Sequence, residues 1–275
     1  MTLEIERFSS TDAAALALAR AVAAELTAAL AQRPRALLLV SGGRSPLVFF
    51  EALRSQPIDW QRIDVSLVDE RCVAADDDAA NASLVRAHLL HGAAAAARWI
   101  GLLPEAEALV GATPLERAQD AAGRANHDPL LAHAAVVVLG VGSDGHTASL
   151  FADAPQWALA QVTSERYVAL QPGAAPHARI SLSLPALRQQ GSCHVWATGT
   201  EKLQVLTRLQ EHIARHAGPV EKPMPPLSGT PSGAQPGARS NQPPPAWLAA
   251  AGPMACLIAD PALVLTAYCT IDQAP

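Results

Sequence analysis

Apolar residues in this chain follow two spacings that take turns along its length. Short, nearly unbroken runs such as Ala36-Leu-Leu-Leu-Val40, Ile63-Asp-Val-Ser-Leu-Val68 and Ala134-Ala-Val-Val-Val-Leu139 are too brief for stable helices. Their Val and Leu content predicts strands buried on both faces of a parallel sheet. Between such runs, apolar positions recur every three or four residues, as at Leu16, Ala19, Ala23, Leu26 and Leu30, the spacing of a helix face. Helix starts are marked too. Ser9-Ser-Thr-Asp12 supplies capping oxygens, Thr113-Pro114 a cap and a first-turn proline, and Ser45 and Pro46 read as the same pair ahead of a helix over 47–54. Further helices are expected over 79–90 and 203–212. Further strands are expected at 1–7, 98–103, 167–170, 178–184 and 193–198, and 263–268 reads as a last strand or a short closing helix. The alternation predicts an α/β fold: a doubly wound, mostly parallel sheet with helices on both faces and right-handed crossovers.

Composition narrows the partners. Half of the 275 residues are apolar and only 4% aromatic, ample for a large, alanine-rich core. A net charge of −5 with no long basic run argues against nucleic acid and anionic membrane. The four cysteines form no Cys-x-x-Cys pair and read as reduced thiols. The N-terminus lacks a signal pattern, and no uninterrupted apolar run reaches the roughly 18 residues that span a bilayer. A soluble, cytoplasmic protein is expected, of undetermined oligomeric state. Nine of the 22 prolines fall within 219–245, among Gly, Ser and Gln. That stretch is expected to be a flexible, partly polyproline-II insertion in an otherwise single domain spanning 1–275.

Candidate chemistry gathers where the predicted strands end, the place where open α/β sheets bind ligands. The 134–139 run breaks into Gly140, Gly142 and Gly145, with Asp144 and His146 inside the turn. Gly140-x-Gly142-x-x-Gly145 spells a dinucleotide fingerprint, but the next strand-like run, Tyr167-Val-Ala-Leu170, leads into Gln171-Pro172 and ends in no ribose-binding acid. Ser143 is not a hydrolase elbow, because Gly-x-Ser-x-Gly is broken. The plainer alternative makes Asp144 a helix cap and His146 a structural histidine. Ser41-Gly42-Gly43-Arg44-Ser45-Pro46 follows the 36–40 strand, and open amides at a helix start beside two glycines suit an oxyanion. It is not a Walker loop, and an ordinary strand-to-helix turn is the competing reading. Asp69, Glu70 and Arg71 crowd the end of the third run, with Asp69 and Arg71 able to face a shared cleft and a surface salt-bridged turn as the alternative. Asp76-Asp77-Asp78 is read as a solvated loop in preference to a metal site. Lys202 stands in a first helical turn, where a cation opposes the helix dipole, a hint of anion binding.

Taken together, Ser41-Gly-Gly-Arg-Ser-Pro46, Val68-Asp-Glu-Arg71, Gly140-Val-Gly-Ser-Asp-Gly-His-Thr-Ala-Ser-Leu-Phe151, Arg179-Ile-Ser-Leu-Ser183 and Gly199-Thr-Glu-Lys202 resemble the 6-phosphogluconolactonase family, whose fold is similar to that of glucosamine-6-phosphate deaminases and sugar-phosphate isomerases. The resemblance implies hydrolysis of 6-phospho-D-glucono-1,5-lactone to 6-phospho-D-gluconate in the oxidative pentose phosphate pathway, with no metal or organic cofactor. It implies His146 as the general base, Asp144 as the acid that orients it, and Arg71, Arg179 and Lys202 as cations for substrate or phosphate. Gly42, Gly43, Arg44 and Ser45 match the loop that approaches the sugar phosphate, and Asp69 lies in a matched motif with a less defined role. Elementary chemistry agrees. A lactone is an activated ester, so positioning and one base suffice, and an unperturbed imidazole, of pKa about 6.5, is mostly neutral near pH 7. Two alternatives stand beside this: an amino-sugar phosphate deaminase, whose related loop carries an acid where this chain has Leu150-Phe151, and a non-catalytic sugar-phosphate sensor.

Overall fold

Seven parallel strands form the central sheet of the computed structural model, which describes residues 3–43, 45–74, 77–104, 110–173, 175–216 and 243–271. The chain begins with β1 (Leu3–Phe8), α1 (Thr11–Leu30), β2 (Ala36–Val40), α2 (Leu47–Arg54) and β3 (Ile63–Leu67). It continues through β4 (Asp69–Arg71), α3 (Asn81–His88), β5 (Arg98–Trp99), α4 (Pro114–His127) and β6 (Val136–Gly140). After α5 (Trp157–Ala160) come β7 (Tyr167–Leu170), β8 (Arg179–Leu182), α6 (Leu184–Arg188), β9 (Ser192–Ala197) and α7 (Thr200–His216). Last are α8 (Ala246–Ala250), α9 (Pro253–Ile258) and β10 (Leu265–Thr270). The sheet order is β1-β10-β9-β6-β2-β3-β5. Every residue of β2 and β3 is buried, which requires cover on both faces and explains their nearly unbroken apolar runs.

Residues 263–268 resolve into a strand: β10 adds in parallel between β1 and β9, so the chain's end closes against its beginning. The 98–103 run pairs with the sheet only at β5, through Asp64↔Arg98 and Val65↔Trp99. Helix α1 buries Ala14, Ala15, Leu18, Val22 and Leu26, while Leu16, expected on the core face, is 38% exposed. The other four expected positions, Ala19, Ala23, Leu26 and Leu30, are buried as read, and Ala14, Ala15, Leu18 and Val22 widen the stripe. Helix α1 also has the length and mean hydropathy, 1.6, of a bilayer span, which uninterrupted runs did not reveal, yet it packs across β2, β6 and β10. Most of the segment at 219–245 lies outside the described residues.

The parallel sheet does not hold every strand. Asp69–Arg71 leaves the end of β3 and pairs antiparallel with β8, and β8 with β7, forming a separate three-stranded sheet. The 167–170 and 178–184 strands thus form, but outside the main ladder. The charged triplet Asp69-Glu70-Arg71 is a largely buried strand, not a surface turn. Glu70 explains why: its two carboxylate oxygens accept the backbone N–H groups of Arg71, Asn81 and Ala82. The last two are open amides at the start of α3, which has no side-chain cap of its own.

Candidate functional site

β6 and β2 lie side by side at the middle of the sheet, yet the chain leaves β2 toward β3 and continues from β6 to β9 on the opposite side. The divergence opens a crevice at their carboxyl ends. Its volume is about 280 Å³, and Val138, Leu139 and Gly140 form part of its wall. Ser41 joins the two strand ends, donating its N–H to Val138 O at 2.9 Å and accepting from Gly140 N at 3.1 Å.

The loop after β6 is closed on itself. Gly142 N donates to His146 O (2.9 Å), Gly145 N to Gly142 O (3.0 Å) and Thr147 Oγ1 to Gly140 O (2.8 Å). Gly142 has no alternative: a Cβ there would stand 2.1 Å from His146 Nδ1. The turn places Asp144 Oδ1 2.5 Å from His146 Nδ1 and 3.1 Å from the His146 backbone N–H, which donates to the same oxygen. Burial pushes the Asp144 carboxyl upward, but the His146 backbone N–H, the electrostatic pull of the imidazole and its ring hydrogen bond outweigh this and hold it below the usual carboxylate range. The carboxylate therefore stays ionised and accepts from Nδ1–H, which leaves Nε2 as the proton-accepting nitrogen. His146 lines the crevice and Asp144 stands behind it. The next helix, α5, begins eleven residues past the turn, so Asp144 orients a side chain and does not cap a helix.

Cations reach the crevice from the second sheet and from α7. Arg71 and Arg179 are direct partners in the β4–β8 register, and Asp69 sits opposite Ser181 one pleat away, so all four side chains share a face. Like charges directly opposite destabilise a sheet unless something answers them. Asp69 supplies part of the answer, accepting from Ser149 Oγ at 2.5 Å, which in turn accepts from Arg179 Nη1 at 3.2 Å. Arg71 Nη1 donates to Ala79 O at 2.6 Å. The Nε groups of both arginines are buried without a partner. Lys202 lines the same crevice from the first turn of α7; burial draws its pKa below the ordinary lysine value, and Glu201 opposes this. Burial likewise lowers the pKa of Arg179 against the pull of Asp69. Among the described residues, three cations against one carboxylate make a concave surface that favours an anion.

Gly42, Gly43, Ser45, Asp69, Arg71, His146, Arg179 and Lys202 all border this one crevice, and Asp144 holds His146 from behind. Arg44 lies outside the described residues. Ser45 corrects its expected capping role: α2 is capped at Pro46 with no side-chain bond, and Ser45 Oγ pairs with Thr198 Oγ1 at 2.9 Å, tying the β2 loop to the end of β9. Asp77 Oδ1 accepts from Ala79 N, an ordinary turn contact, while Asp76 is outside the described residues. Among the described residues no three His, Cys, Asp or Glu side chains gather as a metal site.

Two lining residues escaped the sequence. Asn81 is buried, donates to Asp69 O at 2.9 Å and packs so tightly on Gly42 that a Cβ there would be 2.1 Å from Asn81 Cγ. Trp196 donates its Nε1–H to Ser45 O at 2.8 Å. Only the placement of α3 beside β4, and of β9 beside β6, gives either residue a position in the crevice, so no local pattern announces them.

The family model described as glucosamine-6-phosphate isomerases/6-phosphogluconolactonase matches residues 9–228. A Pseudomonas aeruginosa protein named 6-phosphogluconolactonase is 47% identical over 168 residues, covering 60% of this chain and 67% of that relative. The crystal structure of a 6-phosphogluconolactonase from Shewanella baltica is similar at a TM-score of 0.76 and 29% identity, over 98% of this chain and 97% of the other. A monomeric glucosamine-6-phosphate deaminase shares the fold at a TM-score of 0.64 and 12% identity, over 98% of this chain and 97% of its own. A sheet-end crevice carrying an oriented imidazole and clustered cations, on this fold and with these relatives, belongs to a member of the glucosamine-6-phosphate isomerase/6-phosphogluconolactonase family.

Proposed function

We propose that this chain hydrolyses 6-phospho-D-glucono-1,5-lactone to 6-phospho-D-gluconate, the lactone-opening step of the oxidative pentose phosphate pathway, within a single catalytic domain working in the cytoplasm. The observation that carries the reading is the shared crevice: an imidazole with one nitrogen committed to Asp144 opens onto the same space as Arg71, Arg179 and Lys202. Arg179 and Lys202 hold the phosphate, and the crevice walls hold the ring with its carbonyl beside His146. Nε2 takes a proton from water as the water oxygen bonds to the carbonyl carbon. Asp144 stabilises the imidazolium that forms. The carbonyl electrons move onto oxygen, and Arg71 and the Gly42–Gly43 loop, which line the crevice, are the candidates to answer that charge. As the tetrahedral carbon collapses, its bond to the ring oxygen breaks, and the imidazolium returns its proton to that oxygen. Water is consumed, the ring opens, and the base is restored.

The test is hydrolysis of lactone generated by a dehydrogenase, followed against the spontaneous rate. His146→Ala is expected to lower kcat by two or more orders of magnitude with little change in KM. Lys202→Ala and Arg179→Ala are expected chiefly to raise KM, by roughly tenfold or more. A His146→Ala enzyme with near-normal kcat refutes the base assignment. Ammonia release from glucosamine 6-phosphate, measured in parallel, identifies the deaminase reading, and inactivity in both assays identifies the sensor reading.

A further inference from the structure

The imidazole of His146 lies nearly flat on the ring of Phe151, with centroids 4.2 Å apart and planes inclined by 22°. The guanidinium carbon of Arg179 sits 5.4 Å from the centre of the same ring. Phe151 thus touches both kinds of group that the reaction needs, the base and a cation. It is buried, and it closes the loop that begins at Gly140. That loop is held by the Thr147–Leu150 bridge and by Ala148 in the left-handed region at φ 49°. A left-handed alanine is a strained choice, sustained only where its surroundings demand that geometry.

The hydrogen bond from Nδ1 to Asp144 fixes one point of the imidazole but leaves the ring free to swing about it. A flat aromatic face removes that freedom. A residue serving the core alone would need only apolar volume, whereas a stacked imidazole and an overlying guanidinium both use the π-face of the ring. We infer that Phe151 is a positioning residue: it sets the plane of the His146 ring, aims Nε2 into the crevice, and holds Arg179 at a fixed offset from the base. The inference rests on the reading of His146 as the general base.

Phe151→Leu removes the face but keeps an apolar side chain, and Phe151→Tyr keeps the face. The Leu variant is expected to lose on the order of tenfold in kcat, the scale of a mis-aimed base, with a few-fold rise in KM from a loosened Arg179. The Tyr variant is expected to recover most of the kcat. The decisive comparison is His146→Ala with and without Phe151→Leu. If the ring acts through the imidazole, the second substitution leaves the residual kcat unchanged; an equal further loss makes Phe151 merely structural and overturns the inference, as does a folded Leu variant with wild-type kcat. Proton NMR of the unmutated chain gives a reading that no variant's folding can spoil. The His146 ring protons, assigned by their loss in His146→Gln, are expected upfield of the exposed histidines because they lie over the Phe151 face, and an ordinary position overturns the stacking. His146→Ala that retains full activity sinks the base assignment instead, so the two failures are distinguishable.

Discussion

A carboxylate on one imidazole nitrogen decides which nitrogen remains to take a proton, and at this site that choice rests on one 2.5 Å contact between Asp144 and His146. Asp144→Asn keeps the shape but removes the charge that, in the proposed mechanism, stabilises the imidazolium. It is expected to reduce kcat by roughly ten- to a hundredfold with KM nearly unchanged, measured by steady-state lactone hydrolysis. Gly42 offers a second test. An alanine Cβ would overlap the Asn81 amide, and since Asn81 also holds Asp69 O, the β2 loop must give way. Gly42→Ala is expected to raise KM by about tenfold and to destabilise by about 1–3 kcal/mol, read from kinetics and thermal unfolding. The sequence offered both glycines as candidates on the strength of the loop alone. The reason for Gly42 in particular, a buried asparagine 39 residues further on, was not local and so was not legible.

Among the elements, β4 shows how a strand of three residues does two jobs. Its pleat sends Asp69 and Arg71 to the crevice and Glu70 to the opposite side, where the carboxylate caps α3. Burial pushes the Glu70 carboxyl up to about 7, while three backbone N–H groups pull it down and Asp69 adds to the rise. Because the folded value exceeds the ordinary 4.5, ionisation of Glu70 favours the unfolded chain. Its contribution is therefore greatest below pH 4.5 and is lost as the pH rises through about 7. Glu70→Gln removes the titration and one hydrogen-bond acceptor. The melting temperature of the variant is expected to be lower at pH 5 and to vary less between pH 5 and 8 than that of the unmodified chain. A pH profile parallel to the original would show that Glu70 does not titrate there. The helix signals hold where the partner is close in sequence, as at Thr113, which caps α4 as expected and which the structure completes with Glu116 into a capping box. They misled at Ser45, whose partner Thr198 lies far along the chain.

At the scale of the molecule, the described residues that flank the proline-rich stretch meet. The rings of His216, in the last turn of α7, and Trp247, in α8, stack at 5.0 Å. The chain therefore returns near the point it leaves, and both rings lie outside the crevice lining. Replacing 219–242 by a short Gly-Ser linker is expected to leave kcat and KM within about twofold, since loop length changes closure entropy only slowly. A folded variant that loses activity would falsify the assignment of this stretch as an insertion apart from the catalytic site.

Buried strands, helix caps and the Gly140–Phe151 turn were legible in the amino-acid sequence because each depends on neighbours a few residues away: period, β-branching, glycine, a capping oxygen. They suffice for an α/β sheet with polar residues at its strand ends and for His146 beside Asp144. The antiparallel sheet that sets Arg71 against Arg179, the Glu70 cap on α3, the Asn81 wall and the Phe151 ring beneath His146 were decided only in three dimensions. Each joins segments that share no periodicity, and strand register and side-chain stacking are settled by which surfaces bury one another, a property of the whole packed chain.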